Sequence, residues 1–279
     1  MSQRTIQEVR RAQPSRDGDG VAIQRIAGMQ HAAMDPILML DELRAERRED
    51  LGGGFPPHPH RGMQTLTYMK HGGIIHEDSR GNRGEIRGGG VQWMSSGRGI
   101  IHSEMPTQDT EGLHGFQLWI NLPAAEKMSE PRYRDIPASE LAALDGEGFT
   151  ALAIGGEWRL DEATVTGPLR EIAPRAGVLD LQLQADATVN LHLPASESLL
   201  AYIYEGELRR GDKALGERNL LVTSRGERWT LQAGAVGASL LLLRGEPLRE
   251  PVAQYGPFVM NTPAEIEQAI RDYQAGLFG

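Results

Sequence analysis

Short runs in which apolar and polar residues alternate, punctuated by glycine, proline and aspartate, set the texture of this chain. A period of two sends successive side chains to opposite faces of an extended strand. Residues 113–122 (L-H-G-F-Q-L-W-I-N-L) show it most clearly, with Phe116, Leu118 and Ile120 on one face. Similar runs at 65–69, 74–78, 85–87 and 91–94 are separated by His71-Gly72-Gly73, by a turn over 79–84 and by Gly88-Gly89-Gly90. Ahead of them, 5–9 and 21–26 read as strands around a turn at 17–20, and 34–43 is an apolar run bounded by acids. Strands at this spacing predict an all-β barrel or sandwich.

Residues 123–138, rich in Pro, Lys, Glu and Arg, read as a segment crossing the surface, and 139–144 as a helical turn. The β texture resumes near Phe149, with strands expected at 178–184, 188–193, 199–204 and 238–243. One helix is predicted, at the end of the chain. Thr262 is placed to cap it, Pro263 to occupy its first position and Glu265 to close a capping box. Ile266, Ile270, Tyr273 and Leu277 then recur on one face.

Composition narrows the function classes. The 279 residues suffice for two modest domains, and with aromatics at 5% the core must rest on aliphatic side chains. A net charge of −9 argues against direct nucleic-acid binding, which needs clustered Lys and Arg. The absence of cysteine excludes disulfides, thiolate ligands and a thiol nucleophile. The N-terminus lacks the apolar centre of a signal peptide, and no apolar run approaches membrane-spanning length. The expectation is a cytoplasmic protein without a membrane partner.

The candidate chemistry lies between residues 58 and 104. His58 and His60 in F-P-P-H-P-H-R-G-M-Q-T, and His102 and Glu104 in G-R-G-I-I-H-S-E-M-P, are each spaced i, i+2. On adjacent strands, three imidazoles and a carboxylate would converge into a nitrogen and oxygen ligand set suited to Fe, Ni, Cu or Zn. Pro59 between the first two histidines predicts an edge strand, at a mouth that a ligand could reach. Continuing the parity through Gly62 predicts that Gln64 sits beside the ion or on the pocket wall. His76 and Asp78 form a rival pair, which reads as hydrogen-bonded and structural. His71 reads as a turn residue and His114 as structural or pocket-lining. His192 and Glu197 lack a second histidine partner, so no metal is expected in that half.

The motifs H-P-H-R-G, H-E-D-S-R-G-N-R-G, V-Q-W-M-S-S-G-R-G-I-I-H-S-E-M-P and L-H-G-F-Q-L-W-I-N-L-P together resemble the pirin family of the cupin superfamily. The likeness is dense over residues 34–137 and diffuse afterwards. It implies a bicupin of two antiparallel jelly-roll β-barrels with a C-terminal α-helix. The expected division is an N-terminal metal-binding cupin over 1–136, a linker over 137–148 and a degenerate second cupin with the helix over 149–279. The resemblance also implies one divalent metal held by His58, His60, His102 and Glu104, typically Fe(II), with Ni, Mn, Cu, Co or Zn as alternatives. Two functions follow from it. One is a quercetin 2,3-dioxygenase-like oxidoreductase acting on a flavonol, with Glu104 as ligand or as the base that takes the substrate's hydroxyl proton. The other is a non-enzymatic, redox-sensitive regulatory protein that binds a protein partner. Pirins usually carry H-R-G-F-E-T where this chain has residues 60–65, so Gln64 replaces a glutamate. They also commonly carry P-G-D where this chain has Gly88-Gly89-Gly90.

Overall fold

The computed structural model describes residues 2–173 and 175–278. Among them strand predominates and there is one α-helix, Pro263–Gln274. No helix is long and apolar enough to cross a membrane. The chain divides into two compact units, one made of Gln13–His31, Ile37–Ser139 and Leu248–Gly279, the other of Met1–Ala12, Ala32–Pro36 and Glu140–Pro247.

These units are not the linear halves 1–136 and 149–279. The strand Ile6–Arg11 ladders onto Asn219–Thr223 and so satisfies an otherwise open edge in the second half. The terminal helix packs with the hairpin Ala253–Tyr255 and Phe258–Met260 in the first unit. The expected linker and surface segment are largely ordered structure. Ala142–Gly146 pairs with Phe149–Gly155, and Arg132–Ile136 pairs with Val91–Ser95. Lys127, read as part of a surface run, is buried, and its Nζ donates to the Gly62 and Val259 carbonyls and to Asn121 Oδ1. Desolvation pushes its pKa down to about 8.

Besides that hairpin, the strands of the first unit form two antiparallel sheets. The larger runs Arg132–Ile136, Val91–Ser95, Met63–His71, Leu113–Asn121, Ile37–Ala45, Val21–Ala27, Gln13–Asp17. The smaller runs Phe55–His60, Ile100–Pro106, Gly73–Asp78, Arg83–Arg87. The sheets are open rather than closed barrels, and their strand pattern suits a jelly roll. Phe55–His60 is an edge strand, as Pro59 predicted. Its register against Ile100–Pro106 shifts between the His102–His58 and Glu104–Phe55 pairs, across Pro56 and Pro57, which have no N–H to give the ladder.

The chain passes from the small sheet to the large one at Arg61-Gly62. Gly62 has φ +81°, and a Cβ there would lie 2.1 Å from the Val259 carbonyl oxygen, so only glycine fits. The capping box of the terminal helix is formed as predicted, with Thr262 and Glu265 exchanging hydrogen bonds. Its buried face is Ile266 and Ala269 with Ile270 alongside, whereas Tyr273 is partly exposed and Leu277 lies beyond the helix in solvent.

The second unit is an 11-stranded antiparallel arrangement whose long members are Ser198–Arg210 and Arg228–Gly245. Its core includes Trp158, Leu160, Leu181, Leu191, Leu240 and Leu242, all fully buried.

Candidate metal centre

Three of the expected ligands meet. His102 lies opposite His58 in the ladder, and His60 follows two residues on, so pleating turns all three rings to one face of the small sheet. Ring centroids are 4.4 Å apart for His58 and His102, 4.8 Å for His58 and His60, and 4.9 Å for His60 and His102. Each ring offers a nitrogen within 4.8 Å of the others. Among the described residues this is the one such group, and His192 and Glu197 form none.

The hydrogen bonds of these rings leave an ion's worth of lone pairs. His58 Nδ1 is 2.8 Å from the Pro56 carbonyl, which makes Nδ1 the protonated atom and leaves Nε2 open. His60 bonds the Pro257 carbonyl, while its buried Nδ1 has no hydrogen-bond partner. His102 Nε2 is likewise buried and unpartnered. Orphaned polar atoms this deep are rare and call for a partner, and a divalent cation supplies one. Burial first, then the neighbouring imidazoles, pushes the pKa of His60 and of His102 well below 6.5. Both rings are therefore neutral at physiological pH, the form in which imidazole binds a metal.

Glu104 is buried beside this group without belonging to it. Thr67 Oγ1 donates to its Oε1 at 2.8 Å and Gln117 Nε2 to its Oε2 at 2.6 Å. Both donors come from the large sheet, where Thr67 and Gln117 are directly paired. Two residues along, and so on the same face, Trp119 sets its ring edge-on to His60 at 5.3 Å. These partners were legible in one respect only. If Phe116, Leu118 and Ile120 share one strand face, Gln117 and Trp119 share the other, and a glutamine inside an apolar strand signals a buried polar partner.

Gln64 is not at the centre. It pairs with Ile120, whereas the centre-facing side of that sheet carries Thr65, Thr67, Gln117 and Trp119. Gln64 instead shares its face with Leu66, Leu118 and Ile120, all fully buried. Parity through Gly62 holds only for a continuous strand, and the positive φ of Gly62 ends one strand and resets the faces of the next.

His58 and His60 of the group open onto a cavity of about 680 Å³, whose lining also includes Met29, Met39, Phe55, Trp119, the charged Asp17, Asp19 and Arg25 and, from the far end of the chain, Gln254 and Pro257. His58 is the partly exposed member of the group on this side. Arg25, the cation among the lining residues, is taken up by Asp41, which accepts at 2.9 and 2.6 Å, and by Asp17. That pairing, with Asp41 the larger influence, raises the guanidinium pKa. The rival pair is close by. His76 Nε2 lies 3.3 Å from Asp78 Oδ2, and His76 Nδ1 lies 3.3 Å from His102 Nδ1.

Open jelly-roll sheets with histidines converging from an edge strand and its neighbour define a cupin-type protein with a group that could hold a metal ion. Residues 20–120 match the Pirin family profile, and residues 178–279 match that of the Pirin C-terminal cupin domain. A Vibrio cholerae protein carrying the name "Putative quercetin 2,3-dioxygenase" is 47% identical over 276 residues, covering 99% of this chain and 98% of its own. The crystal structure of a quercetin 2,3-dioxygenase from Acinetobacter baumannii superposes with a TM-score of 0.89 at 30% identity, over 100% of this chain and 99% of that one. A bacterial pirin from Escherichia coli, solved in complex with nickel(II), shares the fold at a TM-score of 0.63 and 20% identity, over 86% of this chain and 99% of that one. The chain belongs to the pirin family of the cupin superfamily and has two cupin domains.

Proposed function

We propose that this protein is a metal-dependent dioxygenase that opens the ring of a flavonol such as quercetin, with Fe(II) as its ion. The observation that carries the reading is a pair of buried imidazole nitrogens, on His60 and His102, left without partners beside a cavity that His58 and His60 line together with both apolar and polar residues. The names and structures of its relatives point the same way.

In this reading His58, His60 and His102 hold the ion, and Glu104 is the fourth ligand or the proton acceptor. The bound ion supplies Lewis acidity toward a substrate enol oxygen and a site for dioxygen. Thr67 and Gln117 hold the Glu104 carboxylate in place, and each oxygen keeps a second lone pair to accept the hydroxyl proton of the flavonol. Met29, Met39, Phe55 and Trp119 give a planar aromatic substrate apolar contact and exclude water from around the reacting ring. With Arg25 already held by two carboxylates, the cavity favours a neutral polyphenol over a carboxylate-bearing ligand.

The test is direct. Protein loaded with Fe(II) is mixed with quercetin in air and loss of the flavonol absorbance is followed, with His60→Ala as the control. Turnover that depends on His60 supports the enzyme. No turnover with Fe, Ni, Mn, Co, Cu or Zn would shift the assignment to the metal-dependent regulatory protein that binds a partner.

A further inference from the structure

Beyond the ligands, His102 is hydrogen-bonded to a side chain that is itself held by a carboxylate. His76 Nδ1 lies 3.3 Å from His102 Nδ1, and His76 Nε2 lies 3.3 Å from Asp78 Oδ2. The side chains of His76 and Asp78 are wholly buried, so water does not substitute for either contact. We propose that Asp78 and His76 are positioning residues that lock His102 in the one tautomer able to ligate through Nε2. The proposal rests on the reading of His58, His60 and His102 as a metal site.

The direction of each bond follows from donor and acceptor rules. A carboxylate only accepts, so the proton between Asp78 and His76 sits on His76 Nε2. In the neutral imidazole that leaves a lone pair on His76 Nδ1. A lone pair cannot bond a lone pair, so the proton between the two rings sits on His102 Nδ1. His102 Nε2 is then the unprotonated nitrogen, and it is the buried atom found without a partner. The chain of bonds runs from the carboxylate to the metal-binding lone pair with no freedom in between, which is how an outer partner fixes the tautomer of a ligating histidine.

The surroundings hold each member of the chain. Asp78 Oδ1 accepts the backbone N–H groups of Arg80 at 2.9 Å and Asn82 at 3.0 Å, and Asn82 Nδ2 donates to Oδ2 at 2.9 Å. Tyr133 stacks on the His76 ring at 4.5 Å, with its hydroxyl tied to Asp135 and Gln92. Both rotation of the carboxylate and tilting of the imidazole are thereby opposed.

Asp78→Asn is the informative substitution. The two backbone N–H groups require an oxygen at the Oδ1 position, so the new NH2 must point at His76. His76 then accepts at Nε2, carries its proton on Nδ1 and forces His102 into the Nε2–H form, which cannot ligate. Ni(II) affinity, read by competition with a chromophoric chelator, is expected to fall about 10- to 100-fold. Long-range proton–nitrogen correlation spectra of the metal-free, histidine-labelled protein report the tautomers directly. They are expected to show Nδ1–H on His102 and Nε2–H on His76 in the wild type, and the reverse in Asp78→Asn, a change that a purely structural role would not produce.

A wild-type His102 bearing its proton on Nε2 would overturn the proposal. So would a folded Asp78→Asn protein that binds Ni(II) as tightly as wild type. If Asp78→Asn does not fold, the wild-type spectrum still decides, and so does a second pair of variants. His76→Asn keeps an acceptor for His102 Nδ1 and should retain binding, whereas His76→Leu should lose it. Equal affinities for these two would also sink the idea. A wild-type protein with the expected tautomers that takes up neither Ni(II) nor Fe(II) would instead remove the metal-site reading, and this proposal with it.

Discussion

The interiors of the two cupin units differ more than their strand patterns do. In one, the buried positions include His60, Thr67, His76, His102, Glu104 and Gln117. In the other, the core cluster is made of apolar side chains that include Trp158, Leu181, Leu191, Leu231, Leu240 and Leu242. An apolar interior is stabilised by area removed from water, at about 25 cal/mol per Å². A polar interior gains little from burial and must satisfy each group, or leave it deliberately unsatisfied for a ligand. The contrast locates the chemistry without reference to any relative. The unit with the three histidines keeps an apolar core of its own, including Leu66, Trp93, Phe116 and Leu118, and buries these polar groups beside it.

That contrast can be broken most forcefully at its ligands. His60→Ala should lower affinity for Ni(II) or Fe(II) by more than about 100-fold, beyond what losing an outer partner costs, and abolish any flavonol turnover. Metal analysis after dialysis checks the first claim and absorbance the second. The reciprocal change is Leu240→Ala in the apolar unit. It should cost about 2–5 kcal/mol of stability through the cavity it leaves, measured by urea unfolding, while metal affinity is retained. If Leu240→Ala removed the metal, or His60→Ala unfolded the protein, the division of labour would be wrong.

A smaller effect is expected at Gln117. Gln117→Leu leaves Glu104 Oε2 buried without its donor, at a cost of about 1–3 kcal/mol, with slower turnover. Unchanged stability and rate would mean that Glu104 does not depend on that bond.

The pH response should also sort with the polar unit. The folded-state pKa values of His60 and His102 lie well below the unfolded value of 6.5. Below pH 6.5 the unfolded chain therefore binds protons that the folded one does not. Their contribution is full above pH 6.5 and is lost as pH falls toward the depressed folded values, by about 1.4 kcal/mol per pH unit for each histidine. Urea midpoints of metal-free protein should fall through this range, and a His60→Leu/His102→Leu double variant should flatten the slope.

The smallest change is predicted at Gln64. Because it faces away from the histidines, Gln64→Glu should leave Ni(II) affinity within about twofold, as for sites that share no partner. A tenfold change would place residue 64 back at the centre. This is where the departure from the family looked most consequential and where the sheet register makes it least so.

Several elements could be read from local pattern because their physics is local. The capping box at Thr262 and Glu265 depends on four adjacent residues. The edge position of Phe55–His60 follows from prolines that cannot donate to two neighbours. The pairing of His58 with His60 and of His102 with Glu104 follows from a two-residue period. By itself the sequence determined an all-β chain, a three-histidine group on two of its strands and the absence of thiol chemistry. What it could not carry across a break was orientation, since Gly62 turns the next strand over and takes Gln64 with it. Nor could it set Thr67 and Gln117 on Glu104, the Pro257 carbonyl on His60, or Asp78 and His76 behind His102. Those contacts join segments from different parts of the chain, and only strand pairing within the small sheet, the packing of the large sheet on it and the placing of the terminal hairpin decided which polar atoms would meet and which would be left unpartnered.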